Sequence, residues 1–310
     1  NSLSEGRYTG CRVKVTDNSS NASDPLPISF TIDLTRPIVA EVTPVSSPTN
    51  VTTPQYKFSS TESGVINYGG ACTSGTPASA TGGCSIELLT DSCSATENTI
   101  RFSALSDGTY DNCTISVTDQ AGNISDNISV STFLINTVPP VLTEVAAVPT
   151  PSKNTAPSYT FSSTKAGSIS SSGSCYADNS SMINSSGSPV TGVPANESIT
   201  VKLYYDNSTS GLIAYSNDGT YTDCVISVTD GAGNRGDLEV NDPGGYRIDA
   251  RLPGVNSVGP FDNEVSIPLN TAVTVEFDEA MKASTVTTTT GTACSGGIQV
   301  SLDDFSTCVA

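Results

Sequence analysis

The sequence predicts an all-β chain of antiparallel β-sandwiches in series, on three observations. One strand-like segment recurs three times at a domain-sized spacing. Its apolar residues alternate with hydroxyl residues, and Gly, Pro, Asn and Asp interrupt the alternation where turns are needed. Helix formers are scarce, and no window keeps a period of 3.6 residues.

The recurring segment reads Asp107-Gly-Thr-Tyr110-Asp-Asn-Cys113-Thr-Ile-Ser-Val-Thr-Asp119-Gln-Ala-Gly-Asn123 and returns as Asp218-Gly-Thr-Tyr221-Thr-Asp-Cys224-Val-Ile-Ser-Val-Thr-Asp230-Gly-Ala-Gly-Asn234. A weaker copy opens the chain, Glu5-Gly-Arg-Tyr8-Thr-Gly-Cys11-Arg-Val-Lys-Val-Thr-Asp17-Asn-Ser-Ser-Asn21. Cys11, Cys113 and Cys224 are 102 and 111 residues apart, the size of a small sandwich domain. Within a copy, Cys113, Ile115 and Val117 share one parity and Thr114, Ser116 and Thr118 the other, as a half-buried strand requires. The closing Asp-x-Ala-Gly-Asn predicts a hairpin turn, because Asp bonds amides two residues on while Gly and Asn tolerate positive φ.

Two further signals repeat. Phe30-Thr-Ile-Asp33, Phe133-Leu-Ile-Asn136 and Tyr246-Arg-Ile-Asp249 each lead to a proline, at Pro37, Pro140 and Pro253. Proline cannot donate to a central ladder, so these positions read as links between modules. Tyr56-Lys-Phe58-Ser-Ser precedes Cys72 as Tyr159-Thr-Phe161-Ser-Ser precedes Cys175, at the same offset.

The repeated pattern resembles the bacterial immunoglobulin-like repeats of large secreted and surface-attached proteins. The tail from Asn270-Thr-Ala-Val-Thr-Val-Glu-Phe277 through Met281 to Thr285 resembles a second bacterial Ig-like family, found in surface-layer proteins. The resemblance implies tandem immunoglobulin-like β-sandwich domains arranged as a rod. Residues 1–36 would form the C-terminal part of one domain, 37–137 and 138–250 two complete domains, and 251–310 the N-terminal part of a further one. In antibody-type domains the corner tyrosine lies two residues before the cysteine. Here Tyr110 and Tyr221 lie three before it, so that corner is not expected.

Nine cysteines point to an oxidising, extracellular or cell-surface setting. The repeat offset pairs Cys72 with Cys113 and Cys175 with Cys224, while Cys84 with Cys93 and Cys294 with Cys308 are local pairs. Cys11 is left unpaired in the chain. Its module has no partner upstream, which predicts either a piece of a longer chain or end domains completed by strands from neighbouring copies.

Composition excludes several functions. The 310 residues carry 31 acidic and 13 basic side chains, a formal charge of −18, and no His. No cationic patch is available for nucleic acid, and no apolar run is long enough for membrane insertion. Without His, the usual general base and the commonest metal ligand are missing. No nucleophile motif or phosphate loop survives inspection: Gly231-Ala-Gly233-Asn-Arg-Gly236 follows a strand but no helix follows it. The chain is therefore expected to be non-catalytic and to need no cofactor.

One cofactor remains open. At the predicted junctions, Asp119, Asn123 and Asn136, or Asp230, Asn234 and Asp249, are candidate oxygen ligands for calcium, although turn capping accounts for the same residues. Asp206 to Asn217 resembles an EF-hand loop but lacks the bidentate Glu at position 12. Arg235-Gly-Asp237 is the tripeptide integrins read, placed just after a predicted hairpin. The functional expectation is a structural fibre or stalk. A self-assembling filament subunit and an adhesin for a glycan or cell-surface ligand, bound by residues 73–97 or 176–196, stand as alternatives.

Overall fold

The computed structural model describes residues 2–76, 79–80, 96–207, 212–214, 218–287, 294, 297–299 and 301. It is built almost wholly of antiparallel strands, with one short 3-10 turn at Ala283–Thr285. Among the described residues two buried cores organise the fold, one drawn from residues between Val39 and Ile135 and the other from residues between Leu142 and Ile248.

Around the first core, one sheet has the order Val39–Thr43, Gln55–Ser60, Thr96–Phe102, Gly75–Thr76. The facing sheet has the order Ile128–Ser129, Thr114–Asp119, Gly64–Gly69, Ser79–Ala80. The short strands Gly108–Tyr110 and Phe133–Ile135 pair separately. Alternation decides what is inside: Tyr56 and Phe58 of one sheet and Ile115 and Val117 of the other are fully buried, along with Ile100 and Phe102. Fully burying one such side chain contributes about 1.5–3 kcal/mol. Aromatic rings continue the contact, with Phe102 on Phe133 at 6.2 Å and Phe133 on Tyr110 at 5.2 Å.

The second core repeats the plan. Leu142–Ala146, Ser158–Ser163, Ser198–Asn207 and Cys175–Asn184 form one sheet, with Leu212–Ala214 paired to Ser198–Asn207. Gly167–Ser172, Val225–Asp230 and Arg235–Glu239 form the other. Tyr159, Phe161, Ile226 and Val228 take the places of Tyr56, Phe58, Ile115 and Val117, again fully buried. These are immunoglobulin-like β-sandwiches.

Disulfides join Cys72 to Cys113 and Cys175 to Cys224. Cys72 and Cys113 flank the paired strand ends Gly69 and Thr114 of one sheet, whereas Cys175 opens the strand Cys175–Asn184 of one sheet and Cys224 directly precedes Val225–Asp230 of the other, so the second cystine links the two sheets. Cys294 is also disulfide-bonded. Cys84, Cys93 and Cys308 lie outside the described residues.

A two-stranded hairpin, Gly6–Val13 with Leu26–Ile32, precedes the first core. Tyr8 stacks on Phe30 at 5.2 Å, the same distance as Tyr110 on Phe133. Its apolar face is open, with Val13 48% and Val15 64% exposed where Ile115 and Val117 are at 0%. Cys11 is a free thiol. After the second core, Val255–Gly259 pairs with Thr274–Phe277.

Candidate functional site

The candidate ligands fall on the turns that end Thr114–Asp119 and Val225–Asp230. Asp119 closes its turn by accepting from the Asn123 amide and from Asn123 Nδ2, both at 2.8 Å. Asp230 accepts in the same way from the Asn234 amide at 2.9 Å and from Asn234 Nδ2 at 3.1 Å. Burial pulls the Asp119 carboxyl upward, but the bonds from the Asn123 side chain and from the Asn123, Gly122 and Ala121 amides hold it below its ordinary value. Asp230 is held down likewise, against its burial, by Asn234, Lys165 and Ala232.

Each turn also reaches into the preceding module. A side-chain amide has two donor hydrogens. Asn123 Nδ2 donates to the Asp33 carbonyl at 3.2 Å, and Asn234 Nδ2 donates to the Asn136 carbonyl at 2.8 Å. At the second junction the main chain joins in, with the Asn50 amide donating to the Ala232 carbonyl at 3.0 Å. The partner carbonyls belong to equivalent residues, since Asp33 and Asn136 both follow the last strand of their module.

A third element completes each junction. The strand Gln55–Ser60 ends in a serine turn, Ser60 Oγ donating to the Glu62 carbonyl at 2.6 Å, and Ser158–Ser163 ends alike, Ser163 Oγ donating to the Lys165 carbonyl at 2.7 Å. The next strand then begins at Gly64, paired with Asp119, or Gly167, paired with Asp230. Only glycine fits there, because a Cβ would stand 2.2 Å from the Thr118 carbonyl oxygen or 2.3 Å from that of Thr229. Glu62 is thereby brought to Asp119, and Lys165 to Asp230.

The outcomes differ in sign. Lys165 Nζ donates to Asn136 Oδ1 at 3.0 Å, to Asp230 Oδ2 at 3.1 Å and to the Val138 carbonyl. Glu62 instead joins Asp33 and Asp119, with one carboxylate oxygen from each lying within 4.8 Å of the others. Burial, then the charges of Asp33 and Asp119, push the Glu62 carboxyl up to about 7.

The calcium candidates are thus regrouped. Asp119 and Asn123 lie together, but with Asp33 and Glu62 and not with Asn136. Asn136 belongs to the next junction, with Asp230 and Asn234. Asp249 joins neither; its amide donates to the Ser152 carbonyl at 2.8 Å and its carboxylate accepts from Arg247 at 2.9 Å. The reason is topological: the strand after the turn runs back along the sandwich, so a module's turn and its own exit lie at opposite ends. Sequence reasoning missed Asp33, Glu62 and Lys165. Their signal is the shared offset of Glu62 and Lys165 from Tyr56 and Tyr159.

The Arg235-Gly-Asp237 tripeptide lies within the strand Arg235–Glu239 and not on a loop tip. Arg235 pairs with Asp237 at 2.7 Å, and a Cβ at Gly236 would stand 2.0 Å from the Pro140 carbonyl oxygen. Most of the Asp206 to Asn217 loop, and residues 77–78 and 81–95 of the first variable loop, lie outside the described residues.

Comparison with known proteins bears on the region after the second core. Residues 249–307 match the family described as Bacterial Ig-like domain. No curated protein matches the chain. Among solved structures, fibronectin(III)-like modules of Clostridium thermocellum CbhA are similar at 12% identity, over 69% of this chain and 96% of that one, with a TM-score of 0.33. No helix among the described residues is long and apolar enough to cross a membrane.

Proposed function

We propose that this chain is a non-catalytic structural spacer of the cell exterior, a stalk of Ig-like modules whose junctions are held at fixed geometry. The carrying observation is the repeated latch, in which a turn asparagine closes its own turn and grips the exit strand of the module before it. A freely jointed linker would need no such pair of bonds. The two cystines suit an oxidising compartment. They also cap how far a loaded module can lengthen, because the chain between linked cysteines stays closed.

Single-molecule stretching tests this reading. Cystines spanning 41 and 49 residues withhold about 140 Å and about 165 Å of contour length at roughly 3.4 Å per residue. Two unfolding events that each lengthen by those amounts on reduction support a mechanical spacer. Modules that yield without a resolved force peak contradict it.

The open apolar face of the Gly6–Val13 and Leu26–Ile32 hairpin favours a second reading, assembly through strands supplied by a neighbouring copy. Light scattering of the non-reduced chain decides it, since a monomer at all concentrations removes this reading and concentration-dependent growth supports it.

A further inference from the structure

We infer that the second junction is a site of self-catalysed cross-linking, in which the Lys165 amine displaces ammonia from the Asn136 carboxamide and leaves a covalent amide between the two modules, with Asp230 as the proton carrier. This goes beyond the spacer reading and does not depend on it.

The groups that acyl transfer needs stand together there: an amine, a carboxamide carbon, a carboxylate to move protons and a donor for the developing oxyanion. Lys165 Nζ lies 3.0 Å from Asn136 Oδ1 and 3.1 Å from Asp230 Oδ2, and it also donates to the Val138 carbonyl. The Val138 amide donates to the same Asn136 Oδ1 at 3.3 Å. Two donors meeting at that atom identify it as the amide oxygen, and they draw charge from the carbon the amine must attack. The Asn136 main chain is held on both sides. Its amide donates to the Thr49 carbonyl at 2.9 Å, and its carbonyl accepts from Asn234 Nδ2 at 2.8 Å. Holding amine and carboxamide in contact makes the reaction effectively unimolecular, which offsets much of the barrier to amide exchange.

The ion pair is the starting state, and the steps balance. Lys165 passes a proton from its ammonium to Asp230 Oδ2, and the freed lone pair on Nζ forms a bond to Asn136 Cγ. Oδ1 takes up the negative charge, facing the Val138 amide. Asp230 hands its proton to Asn136 Nδ2, the Cγ–Nδ2 bond breaks as the carbonyl re-forms, and ammonia leaves. That ammonia takes the surplus proton from Nζ through Asp230. The sum is one ammonium and one primary carboxamide converted to one secondary amide and one ammonium ion, with Asp230 ionised again. Against its burial, Asp230 is held below its ordinary value by bonds from Asn234, Lys165 and Ala232, which makes it a weak base. The reaction is accordingly slow, but it need occur only once in each chain. At the first junction Glu62 and Asp33 stand in the places of Lys165 and Asn136, so neither the amine nor the acceptor carboxamide has a counterpart.

The test is mass spectrometry of the 310-residue chain, reduced and denatured after about a week at about pH 9, where more of a lysine amine is neutral. The expected mass is lower by one ammonia, about 17 Da. Digestion after Lys and Arg should leave residues 102–153 joined to 154–202 through Asn136 and Lys165, because an acylated Lys165 is not cut. Lys165→Arg keeps the positive charge, its folding is checked by circular dichroism, and it should show neither change. In Asp230→Asn the link should form at least about tenfold more slowly. A wild-type chain that keeps its full mass and yields only linear peptides overturns the proposal. So does an ammonia loss that persists in Lys165→Arg, which marks an asparagine cyclised on its own backbone. Cross-linking of Asp230→Asn at the wild-type rate overturns the part given to Asp230.

Discussion

Glu62 and Lys165 occupy the same position in successive modules and carry opposite charge. Each follows a serine turn, and each faces the aspartate that ends a paired strand, Asp119 or Asp230. At the second junction this makes an ion pair in which Asp230 is 5% exposed and Lys165 26%. At the first it makes a repulsive triad. The two junctions therefore share a frame and differ in what closes it.

Removing Lys165 exposes that difference. Breaking a largely buried pair by deleting one partner costs about 3–5 kcal/mol, because the other charge is left uncompensated. Lys165→Ala is expected to lower the unfolding free energy of the module around the second core toward that range. Lys57→Ala, whose pair with Glu97 is exposed, should cost under about 1 kcal/mol. Denaturant titration of both variants checks the contrast.

The first junction should be pH-sensitive in the absence of divalent ions. Glu62 ionises at about 7 in the folded chain, above its ordinary 4.5. A carboxyl with a raised folded value binds more protons folded than unfolded, so the contribution of Glu62 to stability is full below about 4.5, falls as pH rises between 4.5 and about 7, and is lost above. Glu62→Gln should flatten that fall. Melting temperatures at pH 5 and pH 8, in chelator, measure it.

Asn234→Ala removes the side-chain bond to Asp230 and the inter-module bond to the Asn136 carbonyl, while the backbone bonds of the turn remain. Hydrogen bonds to a charged acceptor contribute about 1.5–3 kcal/mol, so the loss should fall in that range. Asn21→Ala removes the corresponding turn bond to Asp17 on an exposed hairpin and should cost less. Parallel melts of the two variants show whether the ordering holds.

Gly236→Ala should destabilise the second sandwich, because the added methyl would meet the Pro140 carbonyl at 2.0 Å and no flexible side chain can yield there. Overpacking of this kind costs about 1–3 kcal/mol. Because Gly236 is enclosed and Arg235 is engaged with Asp237 and Ser227, cell adhesion through this tripeptide is not expected. Unchanged attachment of cells to wild type and Asp237→Ala checks the second point.

The strands were legible because each repeat alternates apolar and hydroxyl residues, and alternation is a local signal. The repeat offset likewise groups Cys72 with Cys113 and Cys175 with Cys224, the pairs the structure joins. The site was only half legible. Asp119 and Asn123 stand out as a turn, but their other partners lie 86 and 57 residues before Asp119, at Asp33 and Glu62. Proximity in sequence favoured Asn136, which the returning strand carries to the far end of the module. Glu62 and Lys165 carry no periodic or motif signal and gain meaning only when two modules are laid over each other.

The most direct measurement is the distance distribution across the second junction, from one spin label placed in each sandwich. The account predicts a single narrow distribution in the wild-type chain that broadens in the double variant Lys165→Ala with Asn234→Ala, both sandwiches remaining folded. An equally broad distribution in wild type and variant would contradict the claim that these residues hold the modules in line.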